Sequence, residues 1–82
     1  MITVNFIENG EEKIYRGRWD STLYREITKE EYDRLSGIEN LDKEYSETLP
    51  AMILNGYGFY GCGVSTFNGK YWFWSKTGNR CD

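Results

Sequence analysis

Apolar and polar positions alternate along most of this chain, and one short stretch changes to helical spacing. Met1 to Glu8 alternates, with Ile2, Val4 and Phe6 on one side. That pattern predicts a strand. Asn9-Gly10 follows, a turn signal, and Glu11 to Arg18 predicts a returning strand that carries Ile14 and Tyr15. A two-residue loop sets Tyr15 opposite Val4, and a three-residue loop sets Ile14 opposite Phe6. A slip of one residue exchanges the faces, so the pattern leaves both registers open. Residues 17–21 read as a bend. Thr22 to Ile27 predicts a third strand, with Leu23 and Arg25 opposed to Tyr24 and Glu26.

The helix start is the sharpest boundary. Thr28-Lys29-Glu30-Glu31 fits a capping box, with the Thr28 hydroxyl on the Glu31 amide and the Glu31 carboxylate reaching back. Ile27 and Tyr32 fit the accompanying hydrophobic staple. Gly37 suits the position after the last turn, so the helix is expected over about 29–36. Its apolar stripe, Tyr32 with Leu35, is narrow, and a helix this short must dock on a sheet. Residues 38–49 are polar; Leu41 and Tyr45 stand four apart, which fits a second helical turn as well as a loop. Pro50 ends any helix arriving there. Ala51 to Leu54 reads as a buried strand, and Asn55-Gly56 as another tight turn.

The C-terminal stretch has the strongest pattern. Residues 57–75 hold eight of the fourteen aromatic residues. Asn68-Gly69 predicts a type I′ hairpin, because both central residues need positive φ. The register follows: Phe67 faces Lys70, Thr66 faces Tyr71, Ser65 faces Trp72, Val64 faces Phe73, Gly63 faces Trp74 and Cys62 faces Ser75. Two indoles then lie over a floor of glycine and serine. The expected architecture is a single α+β domain, β-β-β-α-β-β-β, with a mostly antiparallel sheet.

Composition narrows the function. Eighty-two residues make one domain, and 17% aromatics must supply much of its core. No apolar run is long enough to span a membrane. The first residues lack the basic and apolar regions of a signal peptide, which points to a cytoplasmic protein. Net charge is −3, but residues 26–47 alone carry eight acids against three bases. Such a field repels nucleic-acid backbone.

Without histidine, the commonest general base and metal ligand is missing. Cys62 between two glycines lacks an adjacent base, and reads as a small strand residue rather than a nucleophile. Cys62 and Cys81 are too few for a disulfide framework or a zinc site, and free thiols are expected. Asn40, Asp42 and Glu44 alternate oxygen ligands but lack the glycine of a calcium loop. The expectation is a non-enzymatic chain without cofactor or metal.

Three binding readings remain. In the leading one, the acidic residues Glu30, Glu31, Asp33, Glu39, Asp42, Glu44 and Glu47, with the aromatics Tyr57, Tyr60, Trp72 and Trp74, engage a basic groove on another protein, such as one that itself handles nucleic acid. In the second, Trp72 and Trp74 stack single-stranded nucleic acid, flanked by Lys70 and Lys76, with Arg16, Arg18, Trp19 and Arg25 nearby. In the third, an aromatic pocket over Gly61 and Gly63 holds a small ligand. An exposed edge or aromatic face would equally serve a homodimer. In size, charge and compactness the chain resembles small phage-encoded anti-defence proteins, among them anti-CRISPR proteins, and bacterial immunity proteins. The likeness implies an inhibitor and transfers no residues.

Overall fold

A computed structural model describes residues 2–49 and 58–78. The elements run β1 (Glu12–Arg16), β2 (Asp20–Ile27), α1 (Lys29–Ser36), α2 (Leu41–Ser46), β3 (Phe59–Phe67) and β4 (Lys70–Gly78). The four strands form one antiparallel sheet in the order β1-β2-β4-β3, so the last strand inserts between the second and third. This is an α+β fold. The strand expected at residues 51–54, the Asn55-Gly56 turn and Tyr57 lie outside the described residues.

The C-terminal hairpin has the register its turn dictates, pair by pair from Phe67↔Lys70 to Cys62↔Ser75. Asn68 and Gly69 both take positive φ, 55° and 71°. Beyond Gly61 the ladder slips at a bulge, which sends Tyr60 outward. On one face Cys62, Val64, Tyr71 and Phe73 meet the helices, with Ile27, Leu35 and Phe73 at the centre of the core. Ile2, Val4, Phe6, Tyr32, Ile38, Leu41 and Tyr45 close around them. Tyr45 seats α2, its ring 4.9 Å from Phe73 and 5.8 Å from Phe59.

The N-terminal third differs from expectation. Asn9-Gly10 does not reverse the chain into a hairpin. Phe6 bridges Ile27, and β1 pairs with the same strand from Glu12↔Arg25 to Arg16↔Ser21. Both segments thus run antiparallel to β2 along one edge, and residues 8–10 bulge between them. Ile7 N–H and the Glu11 carbonyl share Glu26, at 3.0 and 3.2 Å. The segment expected as a first strand contributes one bridge and three core side chains. The expected bend is the true hairpin turn, closed by Gly17 N–H to the Asp20 carbonyl at 2.7 Å. Ile14 therefore faces Leu23 and Tyr15 faces Thr22, neither of the registers considered.

The helix cap forms by half. Thr28 Oγ1 accepts from Glu31 N–H at 3.1 Å. The Glu31 carboxylate does not return to Thr28; it accepts from Asn5 N–H at 3.2 Å and from Arg34. Gly37 ends the helix with ordinary right-handed angles (φ −86°), not the left-handed cap its type suggests.

Candidate functional site

The helical layer and the adjoining edge of β3 form the candidate site. Seven carboxylates stand between residues 28 and 47 against Lys29, Arg34 and Lys43. Two of those cations are engaged locally: Lys29 pairs with Asp33 at 3.2 Å and Arg34 with Glu31. Glu30, Glu39 and Asp42 are exposed, and Glu44 is half-buried. None of these four makes an ion pair among the described residues. Glu47 is exposed at the end of α2.

A depression of about 250 Å³ lies between α2 and β3, lined by Asp42, Lys43, Ser46, Phe59 and Tyr60. Tyr60 is 61% exposed. Its ring rests against Gly78 on the neighbouring strand, where a methyl group would run into it. The bulge thus presents a large amphipathic ring at the β3 edge with Gly78 as its seat, and alternation along β4 puts that seat on the face away from the helices. Of the residues singled out from sequence, this groove brings together Asp42 and Tyr60.

Two others serve the fold. Glu31 is buried, and the Arg34 guanidinium and the Asn5 amide hold its carboxyl below the ordinary carboxylate value. Trp72 is fully buried. Its indole N–H donates to the Phe67 carbonyl at 3.1 Å. Trp74 is partly buried and lies flat enough on Gly63 that a methyl there would meet its ring at 2.7 Å.

The cations proposed to flank a stacked strand are scattered. Lys70 pairs with Glu11 at 2.7 Å and Lys76 with Asp20 at 3.1 Å. Arg25 lies on the helix side of the sheet, 3.7 Å over the Phe6 ring. Its Nε is 2.8 Å from Glu12 Oε1, close enough for an ion pair but off the hydrogen-bond direction. Arg18 stacks on Trp19 at the β1–β2 turn. Trp74 roofs Gly63, while the space over Gly61 is open. An aromatic hollow of about 270 Å³ lies across Tyr15, Tyr24 and Phe67. Tyr24 escaped sequence reasoning; it becomes visible only when the hairpin turn is placed at Arg18-Trp19.

Cys62 is a free thiol. Burial, helped by the Asp42 carboxylate, pushes it up to about 12, so it stays protonated and poorly nucleophilic near neutral pH. Among the described residues no helix is long and apolar enough to cross a membrane. No family model, curated protein or solved structure matches the chain.

Proposed function

We propose that this protein acts by binding another protein, through the acidic helical layer and the Tyr60 groove, and that it inhibits by occupying a basic surface on that partner. The observation that carries this reading is the exposed Tyr60 at the β3 edge, which lines one depression with Asp42 of α2. A tyrosine supplies a large contact area with few torsions to order, and a surrounding field of one sign steers a basic partner. Glu30, Glu39 and Asp42 supply that field without holding the fold together. Burial of Trp72 and the pairing of Lys70 and Lys76 weigh against the nucleic-acid alternative.

The test is affinity capture with wild type, Tyr60→Ala, and a Glu30→Lys/Glu39→Lys/Asp42→Lys variant, read by quantitative mass spectrometry. The expected partner carries a basic surface, is lost with both variants, and binds more weakly as salt rises. Capture that is indifferent to both variants sinks the proposal. Tryptophan quenching by single-stranded oligonucleotides, falling steeply with salt, would favour the alternative instead.

A further inference from the structure

Among the described residues, the opposite edge of the sheet is left unfinished. β1 is terminal in the strand order. Among the described residues, three of the four strongly exposed large hydrophobic residues lie on β1 or its turn: Ile14 at 54%, Tyr15 at 57% and Trp19 at 55%. Protected edges are usually blunted by charged side chains, proline, bulges or a covering element, and here Ile14 and Tyr15 stay exposed between the charges.

The ladder with β2 decides which backbone groups face outward. Glu26 N–H donates to the Glu11 carbonyl, and Gly17 N–H to the Asp20 carbonyl. Hydrogen-bonded pairs alternate along an antiparallel ladder. Residues 11, 13, 15 and 17 therefore turn to β2, while Glu12, Ile14 and Arg16 present N–H and C=O to the free side.

The five residues Glu12-Lys13-Ile14-Tyr15-Arg16 are self-complementary about Ile14. A second β1 laid antiparallel, Ile14 against Ile14, sets Glu12 opposite Arg16 twice. All three outward residues then pair, giving about six backbone hydrogen bonds. On the other face Lys13 falls opposite Tyr15, ammonium beside ring. A shift by two residues puts Ile14 opposite a charge and loses both ion pairs. Arg16 has no ion pair among the described residues. Glu12 meets Arg25 through one oxygen, leaving the other for a second arginine. The bulge at residues 8–10 interrupts the same edge and confines the pairing to this stretch.

We infer that the protein self-associates through β1 into a twofold dimer with one continuous eight-stranded sheet. The inference is independent of the proposed partner site, which lies at the β3 edge. Sedimentation velocity, run from micromolar to millimolar chain, tests it. Wild type is expected to shift from 9.7 kDa to twice that mass. Arg16→Glu alone and Glu12→Arg alone each weaken the dimer about tenfold, because two attractive pairs become repulsive. The Glu12→Arg/Arg16→Glu double variant recovers it. Ile14→Pro removes an N–H that β2 does not use, so the fold persists by circular dichroism and the dimer is lost. Thermal melts reveal whether Glu12→Arg has loosened the strand beside Arg25; if so, Arg16→Glu and Ile14→Pro decide. A wild type that stays at 9.7 kDa, or a dimer indifferent to Arg16→Glu and Ile14→Pro, overturns the inference.

Discussion

Trp72 and Phe67 lock the Asn68-Gly69 turn from one side. Their rings stack at 4.6 Å with 4° between planes, and the indole N–H reaches back to the Phe67 carbonyl. The turn is thus held by covalent geometry, by ring contact and by a side-chain hydrogen bond at once. Phe67 in turn meets Tyr24 edge-on at 5.5 Å, and Tyr24 meets Tyr15 in the same way. A file of four rings therefore crosses the sheet on the face away from the helices.

Replacing Trp72 is expected to be among the most damaging single changes. Trp72→Ala removes a fully buried side chain and costs about 3–5 kcal/mol. Urea unfolding measures it. Tyr15→Ala, at the exposed end of the same file, should cost about 1 kcal/mol or less.

Gly63 is required by Trp74 rather than by its own backbone. Gly63→Ala would set a methyl 2.7–2.9 Å from the indole, so the ring must move. The expected loss is about 1–3 kcal/mol. In a cycle with Trp74→Leu, the double variant should be clearly less destabilised than the sum, since the clash is shared. Additive losses would place the cost elsewhere.

The hairpin was readable because its instructions are local. Asn68-Gly69 permits one turn type, that turn fixes a register, and alternation assigns the faces. Asn9-Gly10 carries the same letters and bulges instead. A turn signal says that the chain bends; it does not say which strand each flank will join, and here both flanks join β2. Helix α1 was legible from Thr28, yet the destination of Glu31 was not, because Asn5 approaches from outside the helix. α2 had no decisive pattern; Tyr45 packing on Phe73 and Phe59 settles it, and no local signal reports that contact. Tyr60 was visible as an aromatic beside glycines, but its exposure follows from a bulge that alternation alone does not locate.

Glu31 makes stability depend on pH in a stated direction. Hydrogen bonding to Arg34, then to the Asn5 amide, outweighs desolvation and lowers its pKa below the ordinary 4.5. A depressed carboxyl stabilises fully above its unfolded value, and that contribution fades as pH falls through the folded value. Wild type should therefore lose melting temperature below about pH 4.5. Glu31→Gln should be less stable at neutral pH by about 1–3 kcal/mol, since Arg34 and Asn5 lose a charged acceptor. Its acid loss should be shallower but not absent, because Lys70 and Lys13 also lower the pKa of Glu11. Parallel acid limbs in the two proteins would contradict this account.

The Cys62 thiol should react slowly until the protein unfolds. With Cys81→Ser to isolate it, modification by Ellman's reagent near neutral pH is expected to be at least about tenfold slower than for a free cysteine. Denaturant should restore the ordinary rate. Fast labelling in the native state would mean that the strand is more open than its packing against the core implies.

Gly78 offers a way to separate the Tyr60 groove from the stability of the sheet. A methyl at that position meets the ring of a largely exposed side chain, which can swing away, so Gly78→Ala should cost about 1 kcal/mol or less. Tyr60 would nevertheless leave its seat. Nuclear Overhauser contacts between the Tyr60 ring protons and the Gly78 α-protons should be present in wild type. In Gly78→Ala, contacts from the ring to the α-proton of residue 78 should vanish. If Tyr60 anchors a basic partner from that seat, Gly78→Ala should weaken binding almost as much as Tyr60→Ala does, while Thr66→Ala, on the same strand but away from the groove, should not. Full binding by Gly78→Ala with the ring displaced would show that the seating of Tyr60 on Gly78 is incidental to recognition.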